Sequence, residues 1–270
     1  GNGINNTPTA VVVDGIEGKE YRLPTATENA AATIPDRVLQ DSFADIPFGL
    51  PDEPLPTADR HRAVGSQLPG YGVTTWIQLF TRRQLVALGR LIQATRNSMN
   101  IRLEYGYPEE WCTSIEKYLV LIIDKIADYG SSLATWIVGL EAIRGTFARF
   151  AFSWAWDFCE TNPIGSTAGC YRGALEWTVI ALEHILKAVG TGEQGEVICQ
   201  SVLQYTDHPR FDLILTDPPY YDAIPYSDLM DFFFVWLRRT SFREGEEVLL
   251  SSMKLSPNWD ATKSDGELID

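Results

Sequence analysis

Apolar residues recur at three- and four-residue spacings through the middle of the chain, which is the period of an amphipathic helix. Leu85, Ile92 and Met99 share one face of the first such helix. Further helices are predicted over residues 114–130, 142–158 and 173–188. We therefore predict that residues 74–190 form a largely α-helical region, with most of its many aromatic side chains in the core.

The segments before and after this region follow different patterns. Residues 1–73 are rich in Pro, Gly, Thr and Asp, and two short apolar runs, Ala10–Val13 and Glu20–Leu23, flank a glycine turn. This pattern predicts a small β-ribbon in an otherwise irregular lead, because the prolines between positions 47 and 56 exclude regular structure there.

From residue 191 the apolar runs become short and continuous, as in buried strands. Strands are predicted at Glu196–Leu203 and Phe211–Thr216, and a helix at Ser227–Arg239 with Ser227 as its N-cap. A strand, a loop and a helix in this order place the loop at the carboxyl edge of a sheet, where ligands bind. Residues 191–270 are therefore predicted to be α/β.

The composition of the 270 residues is that of a globular domain, with 45% hydrophobic and 21% charged residues. No apolar stretch approaches the length of about 20 residues that a bilayer span needs, and no secretion signal opens the chain. The four cysteines lie far apart, so no metal site or disulfide framework is expected. These features predict a cytoplasmic protein that does not associate with a membrane.

The charged residues give two opposing indications about whether the protein binds nucleic acid. With 22 basic and 36 acidic residues the net charge is −14, which argues against a protein that coats nucleic acid. Arg82, Arg83 and Arg90 nevertheless lie close together in the first predicted helix. They are candidates for contact with DNA in a binding module for DNA or a partner subunit, although an ordinary solvated helix face has the same pattern.

The predicted strand that ends at Thr216 leads directly into Asp217-Pro218-Pro219-Tyr220. This D-P-P-Y motif is typical of methyltransferases that act on exocyclic amines. The adenine amino nitrogen is a weak nucleophile, and hydrogen bonds from its N–H groups to Asp217 and to the carbonyl of Pro218 favour a directed lone pair. Tyr220 offers a flat face for a flipped base. A proline-stiffened strand end with an aromatic plug is the alternative interpretation.

A longer run, Thr216–Arg239, resembles the large bacterial and archaeal adenine-specific DNA methylases that carry a zinc ribbon. Shorter stretches resemble the same family in the same order along the chain. They are Gly18–Pro24, Leu79–Leu85, Ile143–Ala148, Trp156–Phe158, Asn162–Pro163 and Gly173–Trp177.

The resemblance implies a partial Rossmann-like methyltransferase fold joined to the helical region, and N6-adenine methylation of double-stranded DNA with S-adenosylmethionine as donor. It places Asp217, Pro218, Pro219 and Tyr220 at the catalytic positions. Tyr220 and the following Tyr221 are candidates for contact with the nucleic acid. Ser201 stands where an acidic residue near the cofactor is usual, and with Asp217 it is a candidate cofactor contact.

The cofactor-binding segment and zinc ribbon of that family precede this region, and further strands follow it. An interior fragment that works with the rest of the same polypeptide is therefore expected. Cytosine N4 and RNA amines remain alternative acceptors, although aspartate at the head of the motif favours adenine. Some proteins of the family are linked to restriction or to defence against phage.

Overall fold

A computed structural model describes residues 6–55, 67–148, 151–166, 169–190, 195–198, 211–217 and 226–242. Its elements, in chain order, are β1 (Val11–Gly15), β2 (Gly18–Arg22), α1 (Ala26–Ala31), α2 (Asp36–Asp41), α3 (Gln67–Gly70), a 3₁₀ turn (Trp76–Leu79), α4 (Arg82–Glu104), α5 (Glu109–Tyr129), β3 (Thr135–Ile137), a second 3₁₀ turn (Val138–Leu140), β4 (Ala142–Arg144), α6 (Tyr171–Val189) and α7 (Tyr226–Ser241). The described part of the chain is therefore mixed α/β.

The N-terminal part contains the predicted β-ribbon and three short helices that the sequence analysis did not predict, of which α3 has four residues. β1 and β2 pair antiparallel, with Val11 opposite Arg22 and the turn between Gly15 and Gly18. This confirms the ribbon. The additional helices α1 and α2 have six residues each, and α1 begins with a reciprocal capping box between Thr25 and Glu28.

The predicted first helix is confirmed as α4. It begins after Thr81, whose side chain accepts a hydrogen bond from the Gln84 backbone N–H while the Gln84 side chain accepts from the Thr81 N–H. The face defined by the three- and four-residue spacing is buried against α5 and α7. Gly89 allows α4 to lie directly on the chain at Ser42, since a Cβ atom there would come within 2.5 Å of the Ser42 carbonyl oxygen.

α5 is the second predicted helix, and it ends at Tyr129, next to the predicted stop at Gly130. It begins at Glu109 rather than at Ser114. Pro108 precedes it without a side-chain capping hydrogen bond, and the acidic residues Glu109 and Glu110 favour the start of a helix in its first turn. Its apolar stripe packs against α4, α6 and α7, and together these helices enclose the main hydrophobic core.

The prediction of a helix over residues 142–158 is wrong. Residues 142–144 form β4, which pairs antiparallel with β3, and the described residues between 145 and 158 contain no helix. Phe152, Trp154 and Trp156 alternate with smaller residues, and this two-residue period suits extended chain that points alternate side chains to one side. Phe158 forms an isolated bridge with Thr135, as extended chain can.

α6 confirms the fourth predicted helix but leaves much of its apolar surface uncovered. None of its residues is buried, and the side chains of Trp177 and Leu186 are 78% and 70% exposed. Of the other helices, α6 has its principal contact with α5. Its other exposed apolar side chains are Leu175, Val179, Ile180, Ile185 and Val189.

The predicted strands after residue 191 differ from the structure where it describes them. Residues 195–198 and 211–217 are exposed and form no strand, and Leu215 is 85% exposed. A buried strand needs hydrogen-bonded neighbours, and both described sheets are short hairpins elsewhere in the chain. The helix after the motif is confirmed as α7, which begins at Tyr226, so Ser227 lies inside it rather than at its N-cap.

Candidate functional site

Of the predicted catalytic residues, the structure describes Asp217. Pro218, Pro219, Tyr220 and Tyr221 lie outside the described residues, and so does Ser201. The Asp217 side chain is exposed, and it forms no hydrogen bond or ion pair within the described part of the chain. Its carboxylate is thus free to accept hydrogen bonds from another molecule.

Helix α7, which follows the motif, packs against α5 and α4 with one face buried. Its buried residues fall on one face of the helix and are Asp231, Phe232, Val235, Trp236, Arg239 and Thr240. The Phe232 ring packs on the rings of Phe80 and Phe152 at centroid distances of 5.8 and 5.9 Å, and Trp236 meets the Phe80 ring edge-on at 4.9 Å. This aromatic packing fixes the middle of α7 next to the 3₁₀ turn and the extended segment around Phe152.

The second half of α7 is held by charged groups. Arg238 and Arg239 both form ion pairs with Glu53, which lies in the irregular segment before residue 56. Burial lowers the pKa of each arginine to about 10, and nearby Asp52 opposes that shift at Arg239. Both guanidinium groups therefore stay charged at neutral pH. Sequence reasoning assigned these arginines only to the C-terminal end of a helix and missed their common partner.

Several acidic side chains are buried where α5 packs against its neighbouring helices. Glu116 and Asp124 on α5 are buried, and Asp231 on the neighbouring α7 is buried as well. Burial raises the pKa of Asp124 to about 8. Burial also raises the pKa of Asp128, although Lys125 opposes this shift. The sequence analysis singled out none of these acids, because a carboxylate on an apolar helix face has no local signature.

The three arginines proposed for DNA contact lie near one another at the start of α4, and two of them are used within the chain. Arg82 forms an ion pair with Asp36, and Arg83 forms a bidentate ion pair with Glu160. Arg90 is exposed and donates a hydrogen bond to Gln93. Carboxylates therefore offset the charge of Arg82 and Arg83, and the role of this helix in binding DNA stays a prediction.

A cavity of about 220 Å³ lies beside the Arg83–Glu160 ion pair and is also lined by Gln84 and Asn162. It is smaller than the roughly 300–1,000 Å³ of most small-molecule pockets. The Gln84 Nε2 atom is buried and has no hydrogen-bond partner within the described residues, but it has almost no solvent-accessible area through which to meet a ligand. The cavity is lined by helix and loop residues and does not include Asp217.

The S-adenosylmethionine site that the resemblance implies is not assembled by the described residues. Its candidate contacts are Asp217, which is exposed, and Ser201, which lies outside the described part. The cavity beside Arg83 is too small and does not involve either residue. Within the same residues, no group of three or more His, Cys, Asp or Glu side chains is arranged to hold a metal ion.

Two further properties of the chain are the apolar character of its helices and its similarity to known proteins. Among the helices that the structure describes, none combines the length and the apolar character that a membrane crossing requires. A scan against protein-family models, a search of curated proteins and a search of solved structures each found no match to this chain.

Proposed function

We propose that this chain carries the acceptor-activating segment of an S-adenosylmethionine-dependent DNA methyltransferase that modifies the amino group of a flipped-out adenine. The observation that carries the proposal is the D-P-P-Y motif beginning at Asp217. The Rossmann-like sheet that this function requires is part of the proposal. The rest of the polypeptide is proposed to supply the cofactor-binding segment.

The geometry of Asp217 agrees with this role in two respects. Its carboxylate is exposed and unpaired among the described residues, so an incoming amine can donate a hydrogen bond to it. It also lies nine residues before Tyr226, the first residue of α7, and a stretch of this length spans at most roughly 30 Å. An acceptor at this point polarises an N–H bond of the amine, which raises the electron density on the nitrogen and favours a lone pair directed toward the methyl group.

The test is methyl transfer by the full chain, and by the longer polypeptide, using S-adenosylmethionine with a radioactive methyl group and duplex DNA. We expect Asp217→Ala to lower the rate by about 100-fold, the cost of removing one preorganised hydrogen-bonding group at a reacting centre. Asp212→Asn is the matched control, because Asp212 is an exposed acid in the same segment. Asp217→Ala that transfers methyl groups at the wild-type rate would refute the proposal.

The identity of the product separates the possible acceptors. Nucleoside analysis of the modified DNA is expected to give N6-methyladenine. N4-methylcytosine, or labelling of RNA in preference to DNA, would assign the same carboxylate to a different amine. Each outcome names one acceptor, since the modified base is identified directly by its mass and chromatographic position.

A further inference from the structure

Tyr71, Trp154 and Trp156 form a cluster of three aromatic rings in mutual contact, called the aromatic cluster below. The centroid of the Tyr71 ring lies 5.0 Å from that of Trp154 and 5.2 Å from that of Trp156, and the two indoles are 5.5 Å apart. Tyr71 is 45% exposed and Trp156 is 72% exposed, whereas Trp154 is half-buried and packs against the hydrophobic core. The cluster therefore combines an anchored base with two rings that a ligand can reach.

The backbone holds both exposed rings in place. Tyr71 follows α3 in a turn where the Tyr71 and Val73 N–H groups donate to the Leu68 carbonyl at 3.2 and 3.0 Å. Leu68 and Val73 are themselves buried. Trp156 lies two residues beyond Trp154 in extended chain, so both indoles extend from the same side of that segment. Rings that are already oriented lose little freedom when a ligand binds, which lowers the entropic cost of binding.

The orientation of the rings leaves a flat surface open on Trp156. Its plane is nearly perpendicular to those of Tyr71 and Trp154, at 77° and 78°. Because Tyr71 and Trp154 also contact each other, they lie on the same side of the Trp156 ring. The other side of this highly exposed indole is available for stacking, which is the arrangement that planar ligands prefer on an aromatic face.

The residues next to the exposed rings are small. Tyr71 lies between Gly70 and Gly72, and a Cβ atom built at either glycine would meet no atom within 4 Å. Ala155 separates the two indoles along the chain. The positions that flank Tyr71 thus face open space, and a planar ligand can approach the cluster without displacing a bulky neighbouring side chain.

The charges near the cluster favour an uncharged ligand group over a phosphate. Asp157 follows Trp156 directly, is exposed, and forms no hydrogen bond or ion pair within the described residues. In the same part of the chain, no cation–π contact involves the three rings, so no described cation lies over them. A carboxylate repels phosphate, whereas it leaves an uncharged ring free to stack. The cluster therefore suits the flat ring of its ligand and not an anionic backbone.

We propose that the aromatic cluster binds an unpaired nucleobase by stacking, with Trp156 as the platform. This inference rests on the proposed function, because an enzyme that flips an adenine out of duplex DNA works on unpaired bases. Every base has a π face, so the site is expected to tolerate any sequence. Binding here differs from the contact proposed for Arg82, Arg83 and Arg90, which would engage phosphates.

The probe for this site is a single-stranded DNA decamer that contains 2-aminopurine, a fluorescent isomer of adenine whose emission falls when it stacks. Titration of the full chain at about 0.15 M salt, which screens repulsion from the acidic protein, gives the Kd and the extent of quenching. Trp156→Ala is compared with Trp177→Ala as the matched control. Trp177 is 78% exposed on α6 and contacts no other ring within the described residues. Circular dichroism establishes that each variant is folded.

For Trp156→Ala we expect the Kd to rise by about 10-fold and most of the quenching to be lost, as for removal of one stacked aromatic ring. Trp156→Phe keeps a stacking face and is expected to bind within about 3-fold of the wild type. Trp177→Ala is expected to change the Kd by less than about 2-fold. If Trp156→Ala does not fold, Trp156→Thr replaces it, because a β-branched side chain suits extended chain.

Three results would overturn the stacking site. The first is equal quenching and affinity in the wild type and Trp156→Ala. The second is an equal loss of affinity for a fully paired duplex, since its bases cannot reach the indole. The third is displacement of the decamer by tetramethylammonium at lower concentrations than by adenosine, which would identify a site for cations. An RNA decamer of the same sequence shows whether the unpaired base comes from DNA or RNA.

The titration separates this inference from the proposed function, because it contains no S-adenosylmethionine and follows no methyl transfer. If Asp217→Ala is inactive while Trp156→Ala binds the decamer like the wild type, the methyltransferase proposal stands and the stacking site is refuted. If the wild-type protein transfers no methyl group, the proposed function is refuted. The dependence of quenching on Trp156 then decides on its own whether the cluster stacks a base.

Discussion

Asp124 is a carboxylic acid buried on α5, where a charged side chain is unfavourable. The pH dependence of its protonation therefore provides a quantitative test of how α5 packs against its neighbouring helices. The residue is 8% exposed on α5, and its Oδ1 atom has no hydrogen-bond partner among the described residues. Burial raises its pKa to about 8. An aspartate in the unfolded chain has a pKa near 3.9. Between these values, the folded protein holds a proton that the unfolded chain has released.

The sign of the pH dependence follows from this difference. Because the folded state binds more protons, the free energy of unfolding falls as the pH rises from about 4 to about 8. One proton corresponds to about 1.4 kcal/mol per pH unit, so the contribution of Asp124 changes by about 2–3 kcal/mol between pH 5 and pH 7. The full stability associated with the neutral acid is present below pH 4.

Asp124→Asn removes this titration while keeping nearly the same shape. We expect the variant to gain about 2–3 kcal/mol relative to the wild type on going from pH 5 to pH 7. Urea unfolding followed by circular dichroism at pH 5, 6 and 7 measures this gain. Asp45→Asn, at an exposed position, is the control and is expected to show no such trend. A difference between Asp124→Asn and wild type that is the same at all three pH values would refute the reasoning.

Three further substitutions test the packing and capping of the helices by thermal and urea unfolding. Gly89→Ala is expected to destabilise by about 1–3 kcal/mol, since the new Cβ would lie 2.5 Å from the Ser42 carbonyl oxygen; an unchanged midpoint would contradict the close approach. Gly173→Ala, whose Cβ meets only Cys170 Sγ at 3.5 Å, is expected to stabilise by about 0.5–1 kcal/mol. Thr81→Ala is expected to cost about 1 kcal/mol through loss of the α4 cap, and Thr81→Ser should restore most of it.

The long helices were predictable from sequence because their burial is periodic. α4 and α6 have apolar residues at helical spacing over at least five turns, and α7 ends near its two arginines. α1 and α2 were missed because six residues are too few to show a period. Residues 142–158 were misassigned because aromatic density was taken for a helical core, although the rings follow a two-residue period.

Only those candidate residues that belong to a short sequence motif could be named from the sequence alone. Asp217 could be named because its chemistry and its spacing to α7 lie within one short stretch of sequence. The ion pairs of Arg83 with Glu160 and of Arg239 with Glu53 join residues 77 and 186 positions apart. No local pattern connects such partners, so the internal use of these arginines and the anchoring of α7 required the tertiary structure.

The separation between Glu53 and Arg239 also affects how the protein is made. A ribosome adds about 5–20 residues per second, so 186 residues take roughly 10–40 s to synthesise. Throughout that interval Glu53 exists without either of the two arginines that form ion pairs with it. The Phe80 ring, on which Phe232 packs, also remains without this partner during most of the interval. The nascent chain therefore presents an apolar surface and an unpaired carboxylate to chaperones until α7 emerges.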